Sequence, residues 1–109
     1  MRNARISIPN RARVGEVIEI KTLITHPMES GFRRNSVGQQ IPRDILTHFS
    51  CAFNDKIIFE ATLQPGIAAN PYLTFHHRVT TSGRYTLKWT DQHGETTIHT
   101  RELSATPTS

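Results

Sequence analysis

The 109-residue sequence predicts an all-β fold, an antiparallel β-sandwich of about seven strands. Apolar residues recur with a period of two in seven short runs, as in strands that bury one face. Residues typical of turns separate these runs at intervals of roughly 8–12 residues, which is the spacing of a two-sheet sandwich. No run longer than a turn keeps the apolar spacing of a helix.

Each run has a face that we expect to point into the core. In GEVIEIKTLIT, for example, polar Glu19 and Lys21 occupy the opposite face. The predicted inward residues, in chain order, are Ile6 and Ile8; Ile18, Ile20, Thr22 and Ile24; Ile45, Phe49, Cys51 and Phe53; Ile57, Phe59, Ala61 and Leu63; Leu73, Phe75 and Val79; Tyr85, Leu87 and Trp89; and Ile98 with neighbouring threonines. The predicted turns are Asn54-Asp55, Gln64-Pro65-Gly66, Ser82-Gly83 and Gln92-His93-Gly94.

The start of the sixth run indicates which kind of sandwich this is. In SGRYTLKW, Tyr85 stands two residues after Gly83 and two residues before Leu87. An immunoglobulin-like domain has its tyrosine corner at this point, with the second cysteine in the place of Leu87. We therefore predict an immunoglobulin-like sandwich with Tyr85 at the corner and Trp89 in the core.

One connection is much longer than the others and is the first place to look for function. From His26 to Asp44 the chain lacks a strand pattern, and loops longer than about 12–15 residues tend to be functional or disordered. This segment combines Met28, Phe32, Arg33 and Arg34, residue types that are enriched in protein interfaces. A second loop, QPGIAANPY, carries small residues that let another backbone approach closely. Partner docking explains both loops better than catalysis does. Arg33 and Arg34 have a plainer interpretation as solvated charges, or as a salt bridge to Asp44.

Catalytic and metal-binding interpretations find less support in the residue pattern. Cys51 shares its phase with Phe49 and Phe53, which predicts a small buried side chain more than a reactive thiol. His76 and His77 are adjacent on a strand and point to opposite faces, so they are not expected to chelate one ion. The sequence contains no His-x-His or Cys-x-x-Cys pair. We expect no metal and no other cofactor.

A basic composition leaves a nucleic-acid-binding domain as an alternative. The formal net charge is +4, and arginines cluster near the amino terminus and again around Arg33. Platforms for single strands need aromatic residues interleaved with the basic ones, and here Phe32 stands almost alone beside arginine. A thiol-dependent redox protein that uses Cys51 is the other alternative. The isolated chain could also self-associate.

Length and composition predict a single domain at residues 1–103, followed by a flexible carboxy-terminal tail at residues 104–109. The basic amino terminus has no apolar segment behind it, so we expect no signal peptide, which by itself favours the cytoplasm.

Several stretches resemble the SoxZ family of the bacterial sulfur-oxidation system. They are ARISIP, GEVIEIKTLITHPMESGFRR, IPRDIL and IAANPYLTFHHRVTTSGRYTLKWTDQHGE, which lie between residues 4 and 95. The resemblance as a whole runs from about Ala4 to about Glu102, which is nearly the whole chain. The HPME-x-GFRR and IAANP stretches are the most specific. Asn35 departs from the family, which has an acidic residue there, and a tail like residues 104–109 is not usual.

The resemblance implies an immunoglobulin-like, non-catalytic subunit that pairs with SoxY. SoxY carries sulfur intermediates on a cysteine in a flexible glycine-rich arm, during the oxidation of thiosulfate and other sulfur compounds. It also implies a periplasmic location, reached by export together with the signal-bearing partner, and contact through that partner with other sulfur-oxidation enzymes. The residues expected to contact the partner or its adduct are His26, Met28, Phe32, Arg33, Arg34, Arg43, Ile67, Ala68, Ala69 and Asn70.

Overall fold

A computed structural model describes residues 3–63 and 69–107 of the chain. These residues form eight strands and no helix. The strands are β1 (Ala4–Ser7), β2 (Arg11–Arg13), β3 (Val17–Ile24), β4 (Leu46–Phe53), β5 (Lys56–Thr62), β6 (Tyr72–Arg78), β7 (Gly83–Asp91) and β8 (Thr96–Thr106). Seven of them match the predicted runs, and β2 is an additional short strand. No helix in the described ranges is long and apolar enough to cross a membrane.

The strands form two sheets that pack face to face. One sheet has the order β1-β3-β6 and the other the order β2-β8-β7-β4-β5. All pairs are antiparallel except β2 with β8, which is parallel. The predicted all-β, immunoglobulin-like sandwich is confirmed. The one parallel pair was not foreseen.

The amino-terminal segment moves from one sheet to the other at Pro9. Residues Ala4–Ser7 pair with β3, and Arg11–Arg13 pair with the end of β8. Proline has no backbone N–H to give to a ladder, so the first ladder ends there and the chain can cross.

This crossing corrects the prediction of a flexible tail from residue 104. Ser104, Ala105 and Thr106 belong to β8 and are the partners of β2. The N–H of Ser104 donates to the carbonyl of Asn10 (3.0 Å), and the N–H of Val14 donates to the carbonyl of Thr106 (2.9 Å). Residues 108–109 lie outside the described residues.

The core lies between the sheets and contains most of the predicted inward residues. Phe49 and Trp89 lie at its centre, with their ring centroids 5.0 Å apart. Phe59 stacks on Phe75 from the other sheet at 4.3 Å. Tilted and offset rings are favoured because the positive edge of one ring meets the negative face of another. The prediction that Cys51 and Trp89 are core residues is confirmed, with exposures of 0% and 1%.

Two predicted core residues instead face outward. A register shift between Cys51 and Ala52 pairs Ala52 with Ile57 and leaves Ile58 as an extra residue, so Ile57 is half exposed. In β8 the buried phase begins at Thr97 and reaches Leu103, which places Ile98 on the outer face with 40% exposure. A shift of one residue in the pairing moves every side chain of a strand to the opposite face of the sheet.

The Tyr85 hydroxyl makes a contact that differs from a tyrosine corner. It hydrogen-bonds to Nδ1 of His77 at 2.7 Å, and His77 lies on the opposing sheet. In a tyrosine corner the hydroxyl contacts the backbone a few residues upstream. Among the described residues, therefore, Tyr85 serves as a bridge between the sheets.

The long connection between β3 and β4 lies at one end of an elongated molecule. The principal extents are 65 × 20 × 20 Å, and the radius of gyration is 16.7 Å. A compact domain of this length has a radius of gyration of about 13 Å. The start of β6 lies at the same end, because Tyr72 pairs with Leu23 at the end of β3. The turn between β7 and β8 lies there as well, because Gln92 donates its backbone N–H to the carbonyl of Ile45 (3.0 Å).

Candidate functional site

Residues 27–44, which we call the site hairpin, form an irregular β-hairpin and not an open loop. The backbones of Glu29 and Asp44 exchange two hydrogen bonds of 2.7 and 2.9 Å. Further out, the N–H of Ile41 donates to the carbonyl of Arg33 (2.8 Å). Such scattered bridges leave no regular alternation of apolar residues, so the pairing could not be predicted from periodicity.

Asn35 organises the tip of the site hairpin. Its Oδ1 accepts hydrogen bonds from the N–H groups of Val37 and Gln39, each 3.0 Å long. Its Nδ2 donates to Oε1 of Gln39 (3.2 Å). Gly38 completes the turn with a φ of 84°, which side-chain-bearing residues rarely adopt. Aspartate, whose side chain only accepts, would keep the first two bonds, and the third would require the Gln39 amide to rotate and donate through Nε2.

Gly31 is required where the two arms of the site hairpin approach each other. Its φ is 90°, in the left-handed region. A Cβ added there would lie 3.2 Å from Cβ of Arg43. The left-handed backbone conformation and the short distance to Arg43 therefore both favour glycine at this position of HPMESGFRR.

His26 is buried at the base of the site hairpin. Its Nδ1 accepts a hydrogen bond from the N–H of Met28 (2.8 Å), so the proton of the neutral ring is on Nε2. Nε2 lies 3.4 Å from Oδ1 of Asp44, on the returning arm. The ring thus holds the two arms in register where they leave the sandwich.

The second predicted loop meets the site hairpin at this base. Asn70 accepts the N–H of His26 through Oδ1 (2.9 Å) and donates its own N–H to the carbonyl of His26 (2.6 Å). Ala69 faces the hairpin across an open groove of about 450 Å³. The groove is lined by Pro27, Met28, Glu29, Ser30, Arg33 and Ala69. Ile67 and Ala68 lie outside the described residues.

Arg33 forms an ion pair with Glu29. The guanidinium Nε is 3.1 Å from Oε2, and Nη2 bonds to Oε1, so the contact is bidentate. This hydrogen bonding lowers the pKa of the Glu29 carboxyl and raises the pKa of Arg33. The sequence interpretation of Arg33 or Arg34 as a partner of Asp44 is therefore wrong for Arg33, whose partner is Glu29.

Arg34 and Arg43 differ from Arg33 because no described carboxylate pairs with them. Arg34 donates to the carbonyl of Gly38 (2.9 Å), which satisfies a donor but leaves the charge uncompensated. Arg43 is exposed, and its own carbonyl accepts from Nε2 of Gln92 (3.1 Å). The positive charge of this end is consequently carried by these two residues.

The predicted site residues divide into a buried group and an exposed group. His26 is fully buried, and Met28 is only 7% exposed, with Sδ 3.3 Å from the N–H of Leu46. Both side chains support the hairpin from within the isolated chain, and their predicted contact with a partner or its adduct stays a prediction. The exposed group is Phe32, Arg33, Arg34, Arg43, Ala69 and Asn70. Sequence reasoning overlooked Val37, which is 75% exposed at the tip.

Cys51 has the properties of a structural thiol. Its side chain is fully buried, and burial raises the pKa of the thiol to about 12. Because the thiolate is the reactive form, we expect this thiol to react slowly at neutral pH in the folded chain. His76 and His77 lie on opposite faces of β6, as predicted. Residues 3–63 and 69–107 contain no group of three or more His, Cys, Asp or Glu that could hold a metal ion.

Solved structures similar to this chain support the fold. A superoxide reductase (neelaredoxin) from Ignicoccus hospitalis matches with a TM-score of 0.72 and 13% identity, over 94% of this chain and 79% of that one. A putative superoxide reductase from Thermotoga maritima has a TM-score of 0.70 and 10% identity, over 94% and 85%. The CARDB domain of a Pyrococcus furiosus protein, solved with di-metal ions, has a TM-score of 0.61 and 14% identity, over 100% and 94%. At these identities the likeness concerns the fold alone.

Sequence comparisons are more specific. No curated protein sequence matches the chain significantly. The family model described as sulphur oxidation protein SoxZ matches residues 6–102, which is nearly the whole chain and includes both loops of the candidate site. The chain therefore belongs to the SoxZ family of sulfur-oxidation proteins.

Proposed function

We propose that this chain is the non-catalytic subunit of a periplasmic sulfur-carrier heterodimer. It binds a SoxY-like carrier subunit, whose cysteine arm holds sulfur intermediates during thiosulfate oxidation. The chain reaches the periplasm by export together with that signal-bearing partner. Other enzymes of sulfur oxidation meet it through the carrier.

The burial of Cys51 is the observation that carries this proposal. Covalent sulfur carriage requires an accessible thiolate. The only cysteine of this sequence is fully buried, and its pKa is raised to about 12. In a family of sulfur-oxidation proteins, such a thiol supports a role in which another chain performs the covalent step. The same observation disfavours a redox function for Cys51.

The site hairpin and Asn70 are the proposed docking end. Two loops that are far apart in sequence are held together there by the paired hydrogen bonds between His26 and Asn70. Loops on a rigid scaffold are common binding elements. Arg34 and Arg43, which lack a described carboxylate partner, are better placed than Arg33 to favour sulfonate-like or sulfate-like adducts.

Reconstitution tests the proposal. The purified chain is mixed with the carrier subunit, and the complex is measured by size-exclusion chromatography and by thiosulfate oxidation with the remaining enzymes. We expect a complex of one copy of each, activity that requires both, and none from this chain alone. Failure to form the complex, or thiosulfate turnover by the isolated chain, contradicts the proposal.

A paired substitution tests the adduct contact, with the carrier subunit at a saturating concentration so that weaker association does not lower the rate. Replacing both Arg34 and Arg43 with alanine is expected to lower the oxidation rate by about tenfold, the effect of roughly one lost charge-assisted bond. Arg101→Ala is the matched control, because Arg101 is an exposed arginine on β8. Equal oxidation rates for the double variant and the control would mean that Arg34 and Arg43 do not contact the adduct.

A further inference from the structure

The site hairpin exposes two large apolar side chains to an unusual degree. Phe32 is 85% exposed and Val37 is 75% exposed. The other exposed large hydrophobic residues among those described lie between 40% and 57%, and they stand on strands. A single exposed apolar residue is ordinary in a soluble protein, so exposure alone would not indicate a site.

Local hydrogen bonds hold the backbone that carries these two residues. The N–H of Phe32 donates to Oγ of Ser30 (3.3 Å), next to Gly31 in its left-handed conformation. The N–H of Val37 donates to Oδ1 of Asn35 (3.0 Å). Binding through a preorganised segment avoids the cost of ordering a loop, and more of the contact energy therefore appears as affinity.

The charge around these side chains indicates the kind of surface that they would meet. Glu29 compensates Arg33, whereas Arg34 and Arg43 have no carboxylate partner among the described residues. The exposed part of the site hairpin thus carries two large apolar side chains and two arginines without a described carboxylate partner. An acidic rim around an apolar depression would be complementary to it, and such complementarity governs association rate and register.

We propose that Phe32 and Val37 are the anchor residues of this subunit, which insert into an apolar depression with an acidic rim on the carrier subunit. This inference rests on the proposed function and adds the side chains that supply the affinity. Aromatic anchors surrounded by polar groups dominate the binding energy of many interfaces. Arg34 and Arg43 steer the approach and fix its orientation.

Calorimetric titration of the intact chain with the purified carrier subunit tests the proposal. We expect Phe32→Ala to weaken the complex by about 30-fold or more and Val37→Ala by about 10-fold. Ile57→Ala is the matched control, because Ile57 is a half-exposed apolar residue on β5, away from the hairpin. Ile57→Ala should change the dissociation constant of the complex by less than about twofold. Phe32 and Val37 are exposed, so the variants should melt at the same temperature as the wild type.

The possible outcomes distinguish a failure of the proposed function from a failure of the anchor inference. If the wild type does not bind the carrier subunit, the proposed function fails. If the wild type binds and Phe32→Ala binds equally well, the proposed function stands and the anchor inference is overturned. The inference is overturned as well if sedimentation shows that Phe32 and Val37 join two copies of this chain and leave carrier binding unaffected.

The salt dependence of association provides an independent check. Replacing Arg34 and Arg43 with alanine should flatten the dependence of the association rate on ionic strength. Arg101→Ala should leave that dependence unchanged. A wild-type rate that does not vary with salt would contradict the acidic rim.

Discussion

His26 is the residue whose replacement should most disturb the docking end without touching a partner. In His26→Ala, the N–H of Met28 loses its acceptor at a buried position, where an unsatisfied donor costs about 1–3 kcal/mol. Loss of the buried ring adds about 1 kcal/mol of packing. The free energy of unfolding should therefore fall by about 3 kcal/mol, which for a domain of this size lowers Tm by about 15 °C.

Two comparison variants make this prediction specific. Asparagine can place an oxygen near the position of Nδ1, so His26→Asn should retain part of the bond to Met28 and lose less stability than His26→Ala. His76→Ala removes an exposed histidine and should change stability by less than about 0.5 kcal/mol.

Thermal melting gives the stability changes, and hydrogen exchange shows where they act. In His26→Ala the amides of Met28, Glu29 and Asp44 should exchange faster than those of β7. If His26→Ala melts like the wild type, or if the hairpin amides keep their protection, His26 does not hold the base of the hairpin.

Three further predictions concern the core, the sheet bridge and the carboxy terminus. Cys51 should react with a maleimide at pH 8 far more slowly in the folded chain than in guanidinium, and similar rates would show that its thiol is accessible. Burial lowers the pKa of His77, so the folded chain binds a proton at this ring less readily than the unfolded chain does. The free energy of unfolding should therefore fall as the pH drops below about 6.5. Urea titrations at several pH values should show a weaker pH dependence for His77→Gln than for the wild type. Deleting residues 104–109 should lower the free energy of unfolding by about 2 kcal/mol, because the hydrogen bonds of Ser104 and Thr106 with the segment around β2 are lost. An unchanged urea denaturation curve would mean that these residues do not stabilise the fold.

Period-two alternation predicted the strands correctly because the sandwich buries one face of each strand. Ile18, Ile20 and Ile24 are buried as expected. The pattern failed at Ile57 and Ile98. The first is displaced by a register shift against β4, and the second lies in a strand whose buried phase consists largely of polar residues. Neither feature has a signature in residue type alone.

The length and composition of the segment from His26 to Asp44 predict a binding element, and that role stays a prediction. The internal structure of the segment could not be predicted from the sequence. The roles of individual residues depend on contacts across the hairpin. Nothing in the sequence separates buried Met28 from exposed Phe32, or shows that Arg33 is paired with Glu29. The parallel pairing of β2 with the end of β8 was also hidden, since both segments are short and polar.

Hydrogen exchange of the intact chain, with and without the carrier subunit, tests the central claim most directly. We expect slower exchange on complex formation in residues 29–43 of the site hairpin and at Asn70, and little change at the opposite end around Asn54 and Asp55. Protection confined to that opposite end or to the outer face of a sheet, with the hairpin unaffected, would contradict the account.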